Sequence, residues 1–324
     1  MSQKQRKIGL LTSGGDAPGM NAAIRAIVRA AANHHVSVMG IKRGFEGLLH
    51  NEIVELKTGD TAGIIRRGGT ILLTARCPGL METAGQNTAA AILKEADIDT
   101  LIVIGGDGTF RGAMSLAERG VNILGIPATI DLDMPCTEYS LGFDTACNTG
   151  MDAIGRIMDT SMSHERCSVV EVMGRGAGYL ALWCGLTSGA EIVLIPEDIE
   201  MDTDAVIKQI KNNRENGKTH NLVVIAEGVG GSNALAREIQ RVTGIESRAT
   251  ILGHLQRGGS PTAVDRMHGT VMGYMALESV LANEKNKAVV VKEGRHVLIS
   301  LDEAIKTKPA FNPSLYEMSK VMSI

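Results

Sequence analysis

Leu101-Ile102-Val103-Ile104, running into Gly105-Gly106-Asp107-Gly108-Thr109, decides the fold, and it has an earlier counterpart in Ile8-Gly9-Leu10-Leu11-Thr12 before Ser13-Gly14-Gly15-Asp16. In both, a short continuous apolar run stops at glycine. Continuous runs of this kind are strands buried on both faces, which belong to largely parallel sheets covered by helices. Glycine lets the backbone approach an anion and aim successive N–H groups at it, and a helix starting there adds its positive end. Each loop therefore reads as a phosphate cradle. A carboxylate repels phosphate unless a cation stands between them, so Asp107 reads as a holder of Mg²⁺, which is typically bound by one or two carboxylates plus phosphate oxygens and water. The chemistry indicated is phosphoryl transfer. Taken alone, Gly105 to Thr109 also suits a plain turn with Asp107 as helix N-cap, and the string is found in other kinase groups.

Further short apolar runs at 36–41, 122–126, 168–172, 191–195, 221–226 and 288–291 join those at 8–12 and 100–104, and most are separated by segments with helical periodicity. Helices are expected over about 143–162 and 262–283, and from an Asp202 or Thr203 cap through Val206, Ile207 and Ile210 to a stop at Gly217. At 324 residues the chain exceeds the size at which one core usually stops growing. The fold class read from this is α/β, with two doubly wound, largely parallel-sheet lobes and the active site in the cleft between them. Ligands of such sheets sit outside the carboxyl ends of strands. Thr129 to Asp133, Met173-Gly174-Arg175 and Glu227 all fall at such ends, beside the two glycine loops.

Composition removes several function classes. A net charge of −3 and 3% aromatics, with Trp183 the single tryptophan, argue against nucleic acid as a partner. No run of 18 apolar residues offers a membrane span, and the apolar run after Lys7 is broken at Thr12-Ser13-Gly14, too early for a signal-peptide core. The five cysteines (77, 136, 147, 167 and 184) are widely spaced with no Cys-x-x-Cys pair. They read as reduced thiols of a cytoplasmic protein without zinc.

Transfer of phosphate to an alcohol needs a group to accept the alcohol's proton. If extended, Thr129, Asp131 and Asp133 share a face, and Asp131 is the expected base. Arg166, Arg175, Arg248 and Arg257, with His254, supply cations beside glycine turns, and the planar fork of arginine suits the phosphate of a phosphorylated sugar. Glu227 either accepts hydrogen bonds from sugar hydroxyls or caps the next helix. His34, His35 and His268 read as ordinary surface or core residues.

Ile8 to Asn21 (IGLLTSGGDAPGMN), Gly68-Gly69-Thr70 to Ala75-Arg76, GGDGT at 105–109, TIDLD at 129–133, VVEVMGR at 169–175 and LGHLQRGGSP at 252–261 together resemble the bacterial ATP-dependent 6-phosphofructokinases of the glycolytic type. The motifs follow the family's order almost end to end. The resemblance implies a homotetramer that phosphorylates the 1-hydroxyl of fructose 6-phosphate with MgATP. It implies an ATP-binding lobe of 1–141 plus 255–305 and a fructose 6-phosphate lobe of 142–254 plus 306–324. Gly15, Arg76, Cys77, Gly106, Asp107, Gly108 and Thr109 would bind ATP, with Asp107 on Mg²⁺. Thr129, Ile130, Asp131, Met173, Gly174, Arg175 and Glu227 would hold the sugar phosphate, and Arg76 and Arg175 would stabilise the transferring group. Arg166 and Arg248 would reach a neighbouring subunit's site, while His254 and Arg257 would hold the 6-phosphate in their own.

Departures from the family's pattern are part of the reading. Ala128 and Cys136 stand where glycine is usual, and Leu132 where asparagine is. Gly108 is the residue expected of ATP users; diphosphate-dependent relatives carry aspartate there and lysine at the position of Ala128, and neither is present, which favours ATP. The rival readings are a diphosphate-dependent or differently specific sugar kinase, and a catalytically weak paralogue acting as a regulatory partner. Arg25, Arg29, Glu191, Lys218 and His220 match an allosteric nucleotide site, but Thr58, Met158, Asn216 and Thr219 replace cations in it. Weak binding of ADP or phosphoenolpyruvate is expected.

Overall fold

The computed structural model describes residues 5–198, 201–307, 311 and 313–323. In chain order the strands are β1 (Lys7–Thr12), β2 (Ser37–Ile41), β3 (Ile53–Leu56), β4 (Thr100–Gly105), β5 (Asn122–Pro127), β6 (Cys167–Val172), β7 (Ile192–Leu194), β8 (Asn221–Ala226), β9 (Ser247–Ile251), β10 (Lys287–Lys292) and β11 (Arg295–Ser300). The α-helices are α1 (Met20–Asn33), α2 (Gly44–Leu49), α3 (Thr83–Glu95), α4 (Asp107–Ala117), α5 (Phe143–Ser163), α6 (Tyr179–Ser188), α7 (Thr203–Glu215), α8 (Ser232–Thr243), α9 (Ala263–Leu281), α10 (Leu301–Lys306) and α11 (Pro313–Met322). The chain divides into two units: residues 5–130, 134–145 and 257–307, and residues 131–133, 146–256, 311 and 313–323.

The first unit carries a seven-stranded sheet ordered β11-β10-β5-β4-β1-β2-β3, parallel except where β3 and β11 join its two edges antiparallel. β4 is buried at every position and β1 at all but Lys7, as their unbroken apolar runs require. Helix α9 lies on α1 at backbone distance: a Cβ on Gly273 would stand 2.6 Å from the Ala23 carbonyl, and one on Gly269 2.7 Å from that of Gly19. That contact fixes where α9 can present its side chains.

The second unit's sheet runs β7-β8-β6-β9, all parallel. Its core sets Cys167, Val169, Val223 and Ile225 against Val206, Ile207 and Ile210 of α7 and Leu235 and Ile239 of α8. Each such side chain contributes about 1.5–3 kcal/mol. Asp202 caps α7 as expected, its Oδ1 accepting the Ala205 N–H at 2.9 Å, and Gly217 follows the helix end at φ 88°.

Three strands escaped the sequence reading, β3, β9 and β11. β3 has no buried residue, β9 buries only Ser247, and β11 only Ile299. All three are edge strands left mostly unburied, unlike the buried edge strand β7, so none shows the apolar run by which the others were found. No helix of the described residues is long and apolar enough to cross a membrane.

Candidate active site

The two glycine loops of the first unit touch. Ser13 N–H donates to the Ile104 carbonyl at 3.0 Å, and a Cβ on Gly105 would lie 2.4 Å from both the Ser13 carbonyl oxygen and Thr109 Oγ1. Packing alone therefore requires glycine at 105. Gly14 turns the first loop at φ 83°, and its carbonyl accepts the Thr74 hydroxyl at 2.6 Å. Arg257 closes on this loop: its Nη1 lies 2.5 Å from where a Gly15 Cβ would be, and donates to the Asp16 carbonyl at 3.4 Å.

Gly106, not Asp107, is the N-cap of α4, and its carbonyl accepts the N–H groups of Thr109 and Phe110. The alternative reading of Asp107 as cap is thereby corrected. Asp107 is the first helical residue, its carboxylate 44% exposed and held 2.8 Å from Arg111 Nε one turn on. A Cβ on Gly108 would meet nothing within 4 Å, and one on Gly106 nothing nearer than 3.8 Å. The buried Thr109 hydroxyl has no hydrogen-bond partner. One carboxylate, open backbone and an unsatisfied hydroxyl at a helix N-terminus suit a cation held mainly by a ligand's phosphates. They do not suit one caged by protein, and among the described residues no cluster of three His, Cys, Asp or Glu side chains could hold a metal. Arg76 is exposed and Cys77 half-buried, its thiol pushed up by burial.

Beyond β5, Ala128 N–H donates to the Gly105 carbonyl at 3.0 Å, and the Thr129 carbonyl accepts the Ser140 hydroxyl at 2.7 Å. Asp131 is 5% exposed and Ile130 fully buried. Ala128 and Cys136 are buried and neither has positive φ, so side chains replace the family's glycines there without backbone strain. Burial pushes the Cys136 thiol up to about 11, which keeps it unreactive. Leu132 differs, standing at φ 53°, a conformation that suits the asparagine usual at this position far better than leucine.

In the second unit, Met173 N–H donates to Gln256 Oε1 at 2.8 Å, and Arg175, itself at φ 55°, donates its N–H to Glu227 Oε1 at 2.6 Å. Gly174, between them, takes φ 141°. Glu227 does not cap α8, whose N-cap is Gly231. Arg166 and Arg248 share one carboxylate: Arg166 Nε lies 2.8 Å from Glu246 Oε2 and Arg248 Nη2 2.7 Å from Oε1. The two guanidinium groups, Arg248 first, hold the Glu246 carboxyl below its usual range. His254 is exposed.

Sequence reading missed Glu246 and Gln256. The first had a signal, an acid two residues before Arg248. Gln256 lay inside a quoted motif but carries no charge to draw notice. Of the expected effector residues, Arg25 and Arg29 lie one turn apart on α1 of the first unit. In the second unit, Glu191 is buried and Lys218 Nζ stands 3.5 Å from it while donating to the Ser323 carbonyl at 3.0 Å.

A cavity of about 500 Å³ opens at the amino ends of β1 and β4, the wrong end of the sheet for this chemistry. Of its four cations, Arg6 donates to the Val280 carbonyl at 2.7 Å, Lys7 opens β1, and Lys94 and Arg119 lie at the carboxyl ends of α3 and α4, where basic residues offset the helix dipole. Arg119 donates to the Ser115 carbonyl at 2.7 Å, so local structure accounts for its charge.

Against known proteins, the sequence profile described as Phosphofructokinase matches residues 7–280. The ATP-dependent 6-phosphofructokinase of Clostridium botulinum (strain Hall) is 51% identical over 318 residues, covering 98% of this chain and 99% of its own. Among solved structures, phosphofructokinase from Saccharomyces cerevisiae superposes with a TM-score of 0.87 at 34% identity over 93% of this chain; the chain spans only 45% of that longer one. A pyrophosphate-dependent phosphofructokinase from Marinobacter aquaeolei gives 0.84 at 22% identity, with 95% and 86% coverage, a likeness of fold alone. On the profile match and the near-complete alignment, this chain belongs to the phosphofructokinase family.

Proposed function

We propose that the chain is an ATP-dependent 6-phosphofructokinase, moving the γ-phosphoryl group of MgATP to the 1-hydroxyl of fructose 6-phosphate to give fructose 1,6-bisphosphate and ADP. The observation that carries the choice of donor is Gly108. Its φ is not positive and a side chain there would strike nothing, yet glycine is a poorer helix residue than alanine, by about a few tenths of a kcal/mol in a first turn. Neither packing nor backbone asks for it. A ligand that needs the space does, and a nucleotide beyond its β-phosphate is larger than diphosphate.

In this reading the first unit binds ATP through Gly15, Arg76, Cys77 and Gly106 to Thr109. The Asp107 carboxylate would hold Mg²⁺, which supplies charge neutralisation on the phosphates. Met173, Gly174, Arg175, Glu227, Asp131, Thr129, Ile130, His254 and Arg257 bind the sugar phosphate. Asp131 accepts the proton of the 1-hydroxyl as its oxygen bonds to the γ-phosphorus, and the bond from that phosphorus to the β–γ bridging oxygen breaks. Arg76 and Arg175 offset the charge on the transferring group. Arg166 and Arg248, held as a pair by Glu246, serve a neighbouring subunit of a homotetramer. A cytoplasmic location fits substrates of this kind.

A coupled assay on fructose 6-phosphate with MgATP and with diphosphate tests the reading. Turnover with MgATP and none with diphosphate is the expected outcome; comparable rates, or a diphosphate-only enzyme, would overturn it.

A further inference from the structure

Asp265, on α9 of the first unit, is fully buried, and among the described residues every hydrogen bond to its carboxylate comes from the segment 139–145. Oδ1 accepts the Tyr139 hydroxyl at 2.6 Å and the Gly142 N–H at 2.7 Å; Oδ2 accepts the Thr145 N–H at 2.9 Å and the Thr145 hydroxyl. Burial pushes the carboxyl up, and these donors, Thr145 foremost, oppose that. No cation pairs with it in the described residues. An asparagine could not replace it, since its amide nitrogen would be turned toward two donors. The ring of Tyr139 is also stacked on His268, three residues along the helix, with centroids 3.9 Å apart.

The segment gripped in this way runs beside the strand end that carries Thr129. Leu141 N–H donates to the Pro127 carbonyl at 3.1 Å, and Ser140 Oγ to the Thr129 carbonyl at 2.7 Å. The latter fixes the backbone two residues before Asp131. Gly142, at φ 103°, sits where a Cβ would press within 2.7 Å of Ala17, just past the first glycine loop.

We propose that Asp265 is a positioning residue for phosphoryl transfer: through Tyr139 and Ser140 it sets the backbone from which Asp131 projects, without itself touching a substrate. The inference rests on the functional reading above. A catalytic base misplaced by a fraction of an ångström loses turnover while nucleotide binding, made by other loops, persists.

The test measures kcat, KM for MgATP and thermal midpoint in Tyr139→Phe, Ser140→Ala and their double variant, with Asp265→Asn as the stronger lesion. Tyr139→Phe keeps the ring and its stack and removes only the O–H donor, so it remains informative if Asp265→Asn fails to fold. Each mild variant should lower kcat by about threefold to tenfold with KM for MgATP within about twofold. The double variant should fall short of the product of the two losses, because both act through one segment. Unchanged kcat in folded Tyr139→Phe and Ser140→Ala sinks the inference alone, as does a loss in which kcat, KM and thermal midpoint move together. A wild-type chain inactive on fructose 6-phosphate sinks the functional reading, and the inference with it.

Discussion

Gly105 and Gly108 share one strand-to-helix turn and are glycine for opposite reasons. At 105 the protein's own atoms occupy the space, the Ser13 carbonyl and Thr109 Oγ1 both 2.4 Å from a would-be Cβ; at 108 nothing stands within 4 Å. One glycine is demanded by the fold; at the other the fold leaves the space empty, and the functional reading gives that space to ATP. In a sequence the two are indistinguishable. The same division sorts the acidic residues, with Asp265 enclosed by donors of the chain and Asp107 half-exposed at a helix N-terminus.

The largest break in the comparison should come at Asp131, which the functional reading places on the ligand's side. Asp131→Asn keeps the shape and removes the charge, so turnover should fall about 10²–10⁴-fold, the usual contribution of a positioned general base. Binding of MgATP, followed calorimetrically, should change little. Turnover close to wild type would remove Asp131 from the mechanism.

The glycine pair tests the division directly. Gly105→Ala forces a methyl group against backbone and should cost about 1–3 kcal/mol of stability, read from denaturant unfolding of each variant. Gly108→Ala meets no obstacle and should leave stability unchanged or raise it by a few tenths of a kcal/mol. Its effect should instead appear as weaker MgATP binding, by about tenfold. If both variants unfold alike, or Gly108→Ala binds MgATP as wild type does, the two glycines are not different in kind.

Much of this was legible because burial writes itself into composition. β1, β4, β5, β6 and β8 are enclosed on both faces, so their residues form apolar runs, and those of β1 and β4 end at the glycine loops. β3, β9 and β11 lie at edges, half in water, and their sequences carry no such mark. Among site residues, those in glycine-flanked motifs and the arginines were found, while Gln256, Glu246 and Asp265 were not. Glu246 had a local cue in Arg248 two residues on, but the roles of Gln256 and Asp265 depend on partners far along the chain, as Asp265 does on Tyr139 to Thr145, and no local pattern encodes such a pairing.

Leu132 offers a smaller test, since the family's asparagine there matches the left-handed backbone that this chain keeps at φ 53°. Leu132→Asn should stabilise the protein by about 0.5–1 kcal/mol, most of the cost of holding a branched side chain in that region. A loss of stability would show that packing of the leucine outweighs the strain.

His268 and His296 bear on acid sensitivity. They share a hydrogen bond of 2.9 Å, and burial lowers both pKa values below the ordinary 6.5. Below 6.5 the unfolded chain therefore binds more protons than the folded one, and stability must fall as the pH drops through that value. His268→Gln should flatten the slope of stability against pH between about 6.5 and 5. An unaltered slope would place the acid sensitivity elsewhere.

The smallest effect concerns ADP and phosphoenolpyruvate. A ligand shifts a two-state equilibrium only by its differential affinity for the two states, and small polyanions gain that from several close cations. By the family resemblance, Thr58, Met158, Asn216 and Thr219 would remove four of them relative to regulated members. Lys218, which remains, is engaged within its own unit by Glu191 and the Ser323 carbonyl. Taking it for an effector means first breaking those contacts, so even the retained cation offers less than its charge suggests. Saturation curves for fructose 6-phosphate should superimpose with and without millimolar effector. A several-fold change in half-saturation would mean that Arg25, Arg29 and His220 suffice, and would move these positions from residues kept by the fold to residues kept for a ligand.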